Sequence, residues 1–385
     1  MKAFLKHAVA LTLLAGVVGC SSTDENEAAL PAELVDFTPV MEADVVWDRW
    51  AGDGTEGKWL QLKPAVSGDS VFVCDSDGDC YSYDRHTGDK QWHTDVDLRV
   101  SGGVGAGNGY VALGTLDGEL VVLNAEDGSE AFRKKLTSEI LSSPGIKDNL
   151  LVAQAQNGHV YGFSLETQEQ IWHYDASLPL LSLRGTADPV ITDKVTYASF
   201  ANGKVVALSN DSGSTLWEKR ISIPSGKSDL EKLSDVDGTP FVTFDTMYAV
   251  GFNGFIRAVD LFSGRTRWQK EFSSYVGPGF GFGQVYLSLD NGHLVALDDR
   301  SSSVNWKLED LSNRRLTKPV TMGNYVIVGD FEGYLHFVSQ LSGTFADRIR
   351  IDSYGLISDP VVVGDMLYIY SSDGTLAAVK IQEDS

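Results

Sequence analysis

DGDCYSYDRHTGDKQW, residues 77–92, carries two turn signals and an aromatic at fixed offsets: Asp77-Gly78, Gly88 ten positions after Gly78, and Trp92 four beyond that. An Asp-Gly or Asn-Gly pair supplies the positive φ of a tight hairpin turn whose twist matches its flanking strands. Tyr83, five positions past Gly78, reads as the centre of a buried strand. The same phrase returns with its first glycine at 78, 118, 158, 203, 254, 292, 333 and 374, so that successive copies lie 40, 40, 45, 51, 38, 41 and 41 residues apart. The large apolar residue returns as Leu123, Phe163, Leu208, Val259, Leu297, Val338 and Val379, and the aromatic as Phe132, Trp172, Trp217, Trp268 and Trp306. Ala207, Ala258, Ala296 and Ala378 precede the large residue, as expected where packed sheets approach closely.

A period of about forty residues made of short strands and turns predicts a β-propeller with one four-stranded antiparallel blade per copy. Eight copies make the chain all-β and eight-bladed. The recurring aromatics are expected to seal each blade against the next. Three departures stand out: Asp347 where Trp is expected, and Gln168 and Ser302 in place of the second glycine. The eighth copy ends before it can supply an outer strand, whereas Val45-Val46-Trp47 has strand character and no blade of its own. Pairing the two ends closes the ring and leaves no open sheet edge.

Upstream, Lys2 and Lys6 precede an apolar run over residues 8–18 and then Val17-Val18-Gly19-Cys20. The run is shorter than the roughly 20 residues a membrane-spanning helix needs, and it suits the core of a signal peptide. Small residues before a cysteine resemble the lipobox of bacterial lipoproteins. That resemblance implies cleavage before Cys20, acylation of Cys20, and a propeller held in the periplasm; Ser21 replaces the Asp that favours inner-membrane retention, which points to the outer membrane. The expected organisation is a signal peptide over 1–19, a lipidated cysteine with a flexible tether over 20–40, and the propeller over 41–385.

A formal charge of -22 disfavours nucleic acid and anionic headgroups. Neither paired metal-ligand histidines nor a nucleophile elbow nor a phosphate-binding loop is present in the sequence. Asp75, Asp77 and Asp79 fall on the hairpin turn common to all copies and lack the distal Glu of a calcium loop, so they read as a solvated turn. No catalytic, cofactor or metal residue is therefore assigned. Cys74 and Cys80 flank the same turn. They can face each other across the hairpin and form a disulfide in an oxidising compartment, but a one-residue slip would send them to opposite faces, so both states stay open.

The repeat is similar to the quinoprotein (PQQ-type) propeller phrase with its docked tryptophans, over residues 41–385. Enzymes of that type need calcium ligands, a cofactor pocket and often adjacent cysteines, which this chain does not show. Two insertions lengthen consecutive junctions, one containing Leu178-Pro179-Leu180-Leu181-Ser182-Leu183-Arg184-Gly185, the other Leu233-Ser234-Asp235-Val236-Asp237. Junctions of one type leave a propeller on one face, so the two should form a continuous surface. Loops are usually polar, and an apolar one beside a charged residue suits partner docking. With the lipobox and the eight repeats, LSLRG at 181–185 and LSDVD at 233–237 resemble the BamB family, lipoprotein subunits of the outer-membrane β-barrel assembly machinery. The resemblance implies a non-enzymatic scaffold and assigns contact with BamA POTRA domains to Leu181, Leu183, Arg184, Asp235 and Asp237. Unfolded outer-membrane protein clients are further partners, held through exposed strand edges. The alternatives are a quinoprotein-like enzyme or small-ligand sensor, and a lipoprotein that binds a cell-wall component or an unrelated periplasmic protein.

Overall fold

Each copy of the repeat forms four strands that step outward from a central axis. The computed structural model describes residues 30–178, 187–222 and 235–382, and within them thirty-two strands sort into eight four-stranded sheets. In blade 1 the order is Ala65–Ser67, Ser70–Cys74, Asp79–Asp84 and Lys90–Asp95, all antiparallel. Blades 2 to 7 repeat this over 100–135, 145–175, 190–220, 241–271, 279–308 and 320–350. First strands of neighbouring blades touch, which places them around the axis.

Position in the blade explains the sequence pattern. Third strands lie between two neighbouring sheets as well as two strands, so they are apolar without alternation; Leu120, Val121, Val122 and Leu123 are all fully buried. Fourth strands meet solvent on one side and alternate, as in KQWHTD over Lys90–Asp95, where Trp92 is the buried position.

The aromatics of the repeat form the blade-to-blade seal. The indole N–H groups of Trp92, Trp172, Trp217, Trp268 and Trp306 donate to the carbonyls of Ala125, Asn210, Leu261, Asp299 and Gln340 in the following blade, at 2.6–2.9 Å. The second glycine of that blade receives the ring. A Cβ at Gly213 would stand 2.9 Å from the Trp172 ring, and one at Gly343 would stand 2.5 Å from Trp306. A β-bulge precedes each aromatic and turns it inward, and the residue opposite is small: Ser82 faces Trp92, Gly162 faces Trp172, and Ala207, Ala258 and Ala296 face the next three. The departures obey the same volume rule. Val122 faces the smaller Phe132, and Phe337 faces Asp347.

Ring closure follows the sequence expectation. Ala43–Trp50 becomes the outer strand of blade 8, pairing antiparallel with Thr375–Ile381. Its bulge falls between Val45 and Trp47, and Trp47 faces Ala378 and donates to the Arg85 carbonyl of blade 1 at 3.1 Å. Asp347 has a positive task at the preceding junction, because its Oδ2 accepts the N–H of Ala43 at 2.8 Å and so fixes the start of the closing strand. Residues 31–42 run along the outside of blade 7. Ala32 N–H donates to the Ser312 carbonyl, Arg314 donates to the Ala32 carbonyl, Phe37 stacks on Phe345 and Val40 N–H donates to Ala346. This strap occupies the second half of the stretch read from the sequence as a tether.

The two missing glycines leave side-chain-bearing residues in the left-handed region, with φ of 57° at Gln168 and 59° at Ser302. Such residues cost on the order of 1 kcal/mol there. Gln168→Gly and Ser302→Gly are expected to raise stability by about 0.5–1 kcal/mol each, read as a higher denaturant midpoint at unchanged slope.

Candidate functional site

Both insertions connect the outer strand of one blade to the first strand of the next, from Gln170–Asp175 to Val190–Ile191 and from Thr215–Arg220 to Phe241–Val242. They therefore leave the propeller on one face, the crossover face. Their downstream ends meet: the N–H of Asp188 donates to Thr239 Oγ1 at 2.9 Å. Leu181, Leu183 and Arg184 lie outside the described residues, as does Cys20. Asp235 and Asp237 are described and point inward, being 1% and 9% exposed. The Asp235 carbonyl accepts the N–H of Phe252 at 2.9 Å. Asp237 Oδ1 has no hydrogen-bond partner. Burial, helped by the nearby Asp235 carboxylate, pushes the Asp237 carboxyl up to about 7.

Beside Asp237 the crossover face opens into a central funnel of about 800 Å³. Leu60, Leu141, Leu316 and Ile357 contribute apolar lining, and Asp237, Tyr275, Asp290, Trp59 and Arg315 contribute the rest of its character. Trp59 is 69% exposed, with the Arg315 guanidinium 5.8 Å from its ring centroid. Tyr275 stacks on Phe252 with centroids 4.5 Å apart. Its hydroxyl is held above the ordinary phenol range by burial and then by Asp290 and Asp237.

The sequence carries a second periodic signal that the glycine and tryptophan repeat passes over. Seven of the eleven prolines, at 64, 144, 189, 240, 278, 319 and 360, stand immediately before first strands, each preceded by a residue that differs from blade to blade. Those residues include Lys63, Ser143, Asp188, Thr239, Lys318 and Asp359. The Lys63 ammonium of blade 1 is paired with the Asp188 carboxylate of blade 4, reaching across the ring. Asp188 also accepts the Ser143 N–H at 2.6 Å, and Asp359 accepts the Lys318 N–H at 3.3 Å. Burial works against the Lys63 charge, yet Asp188 and Asp359 outweigh it and raise its affinity for the proton. Lys318 is lowered by burial, and Asp359 is raised by it. The Lys63–Asp188 pair thus ties blade 1 to blade 4 across the ring, with Lys318 and Asp359 close by.

On the same face, Cys74 and Cys80 are direct register partners across the hairpin, and their sulfurs are joined in a disulfide. Asp75 is buried beneath this turn. Its Oδ1 accepts the N–H groups of Asp77, Gly78 and Asp79 and its Oδ2 that of Asp53, so backbone donors occupy the carboxylate.

The family described as "Outer membrane protein assembly factor BamB" matches residues 76–308. A protein of that name from Pseudomonas aeruginosa is 40% identical over 377 residues, covering 98% of this chain and 99% of its own. The crystal structure of BamB from Moraxella catarrhalis superposes with a TM-score of 0.82 at 26% identity, over 88% of this chain and all of that one. Quinohemoprotein alcohol dehydrogenase from Comamonas testosteroni shares the fold alone, with a TM-score of 0.70 at 15% identity over 91% of this chain and 78% of its own. Repeat, ring closure and near full-length identity agree, and the chain belongs to the BamB family of outer membrane protein assembly factors.

Proposed function

We propose that this protein is a scaffold of the outer-membrane β-barrel assembly machinery, without catalysis of its own, and that it docks POTRA domains of BamA through the crossover face. Leu181, Leu183 and Arg184 supply direct contact, and Asp235 and Asp237 hold the second insertion from beneath. Acylated Cys20 anchors the chain in the outer membrane, with the propeller in the periplasm. The observation that supports the reading is that the described downstream ends of the two insertions, some fifty residues apart, meet at Asp188 and Thr239. The chain also enters the propeller on this face, where Ala32 binds Ser312 and Arg314.

The test measures affinity for a purified BamA POTRA fragment together with thermal unfolding. Leu183→Ala and Arg184→Ala are expected to weaken binding by about 1–4 kcal/mol with little change in melting temperature. Asp235→Ala should lower both, because that side chain is buried and acts through the position of its loop. Unchanged affinity in all three variants would remove this face from the interface.

A further inference from the structure

The central funnel has its own chemistry, separate from the two insertions. Leu60, Leu116, Leu141, Leu289, Leu316 and Ile357 give it apolar walls, interrupted by a few charged and polar groups. Its volume of about 800 Å³ lies in the range of pockets that enclose small ligands or short peptide segments. Part of the lining is acidic. Asp237 is nine-tenths buried with an oxygen that no group satisfies, and a buried acceptor left in that state is costly unless something supplies a donor. Asp290 stands near it, exposed and without an ion pair among the described residues. The Tyr275 ring, fixed by Phe252, lies with both acids and adds a π face that favours a cation. Elsewhere in the lining Lys58 is neutralised by Glu56 and Asp77, which leaves Arg315 on Trp59 as the basic group. A guanidinium donor beside an exposed indole suits the carbonyls and apolar side chains of an extended backbone.

We propose that the funnel binds an extended polypeptide segment in which a basic residue adjoins large apolar ones, its cation seated between Asp237, Asp290 and Tyr275 and its apolar side chains against Leu60, Leu316 and Ile357. The overall charge of -22 favours such a cationic segment over an acidic one. The inference rests on the reading of the crossover face as the partner-facing side, but it uses different residues from those assigned to POTRA contact, Asp237 excepted.

The experiment is calorimetric titration of the full chain at pH 8, where the Asp237 carboxyl, pushed up to about 7, is ionised, with acetyl-Leu-Arg-Leu-Leu-amide and with the matched peptide carrying Gln in place of Arg. The Arg peptide is expected to bind saturably, at one per chain and at least about tenfold more tightly than the Gln peptide. Asp237→Asn and Asp290→Asn should each weaken the Arg peptide about tenfold and leave the Gln peptide unchanged, and Trp59→Ala should weaken both. Equal affinity for the two peptides, or no saturable heat for either, overturns the proposal, as does an Asp290→Asn variant with wild-type affinity. POTRA binding measured on the same samples separates the two readings. Intact POTRA binding without peptide binding removes the funnel site alone, and peptide binding without POTRA binding keeps the funnel while removing the docking surface.

Discussion

Asp237→Asn is expected to stabilise the protein at pH 8 by on the order of 2–3 kcal/mol and to do nothing of the kind at pH 4. An aspartate ordinarily titrates near 3.8, whereas in the fold burial and the neighbouring Asp235 push this one up to about 7. Between those values the folded chain holds a proton that the unfolded chain has released, so stability falls as pH rises from about 4 to about 7 and is level beyond. Each pH unit is worth about 1.4 kcal/mol, giving a ceiling of about 4 kcal/mol, from which the unpaired amide of Asn subtracts roughly 1 kcal/mol. Urea unfolding of both proteins at pH 5 and pH 8 checks it. The other titrating groups cancel in the difference between wild type and variant, and a difference that stays flat across this range would show that Asp237 is ionised in the fold at neutral pH.

The second large effect is expected at a blade junction. Trp172→Ala should cost about 3–5 kcal/mol, because it empties the space over Gly213 and leaves the Asn210 carbonyl without the donor that reaches it at 2.7 Å. Trp172→Phe keeps most of the ring and loses the hydrogen bond, so about 1–2 kcal/mol is expected. Chemical denaturation of the two variants separates packing from hydrogen bonding, and equal losses would contradict the division.

These junctions were also what the sequence made legible. A propeller core repeats its chemistry at each blade, so one phrase around Gly78 and Trp92 recurs often enough to reveal the number of blades, and the strand character of Val45-Val46-Trp47 reveals closure. The small residues Ala207, Ala258, Ala296 and Ala378 mark close approach in the sequence itself, but its cause, a tryptophan directly opposite across the strand pair, lies in the register. The candidate site was less legible because it does not repeat. The residues before the recurrent prolines change from Lys63 to Ser143 to Asp188, and only the ring brings Lys63 to Asp188 across 125 positions. Asp237 was found from its loop motif, yet its burial depends on the packing of its surroundings, and no local pattern announces that.

Closure by the strand Ala43–Trp50 also governs the order in which the molecule can come into being. A polypeptide emerges N-terminus first, and this strand has no partner until the far-removed Thr375–Ile381 has been made. Contacts so distant along the chain form slowly, after the loop entropy of nearly the whole sequence has been overcome. The last blade therefore works as a length check. A chain cut short before Thr375 keeps seven sheets intact in sequence but carries unpaired edges at both ends, the kind of surface that aggregates or is degraded, so that closure waits on Thr375–Ile381.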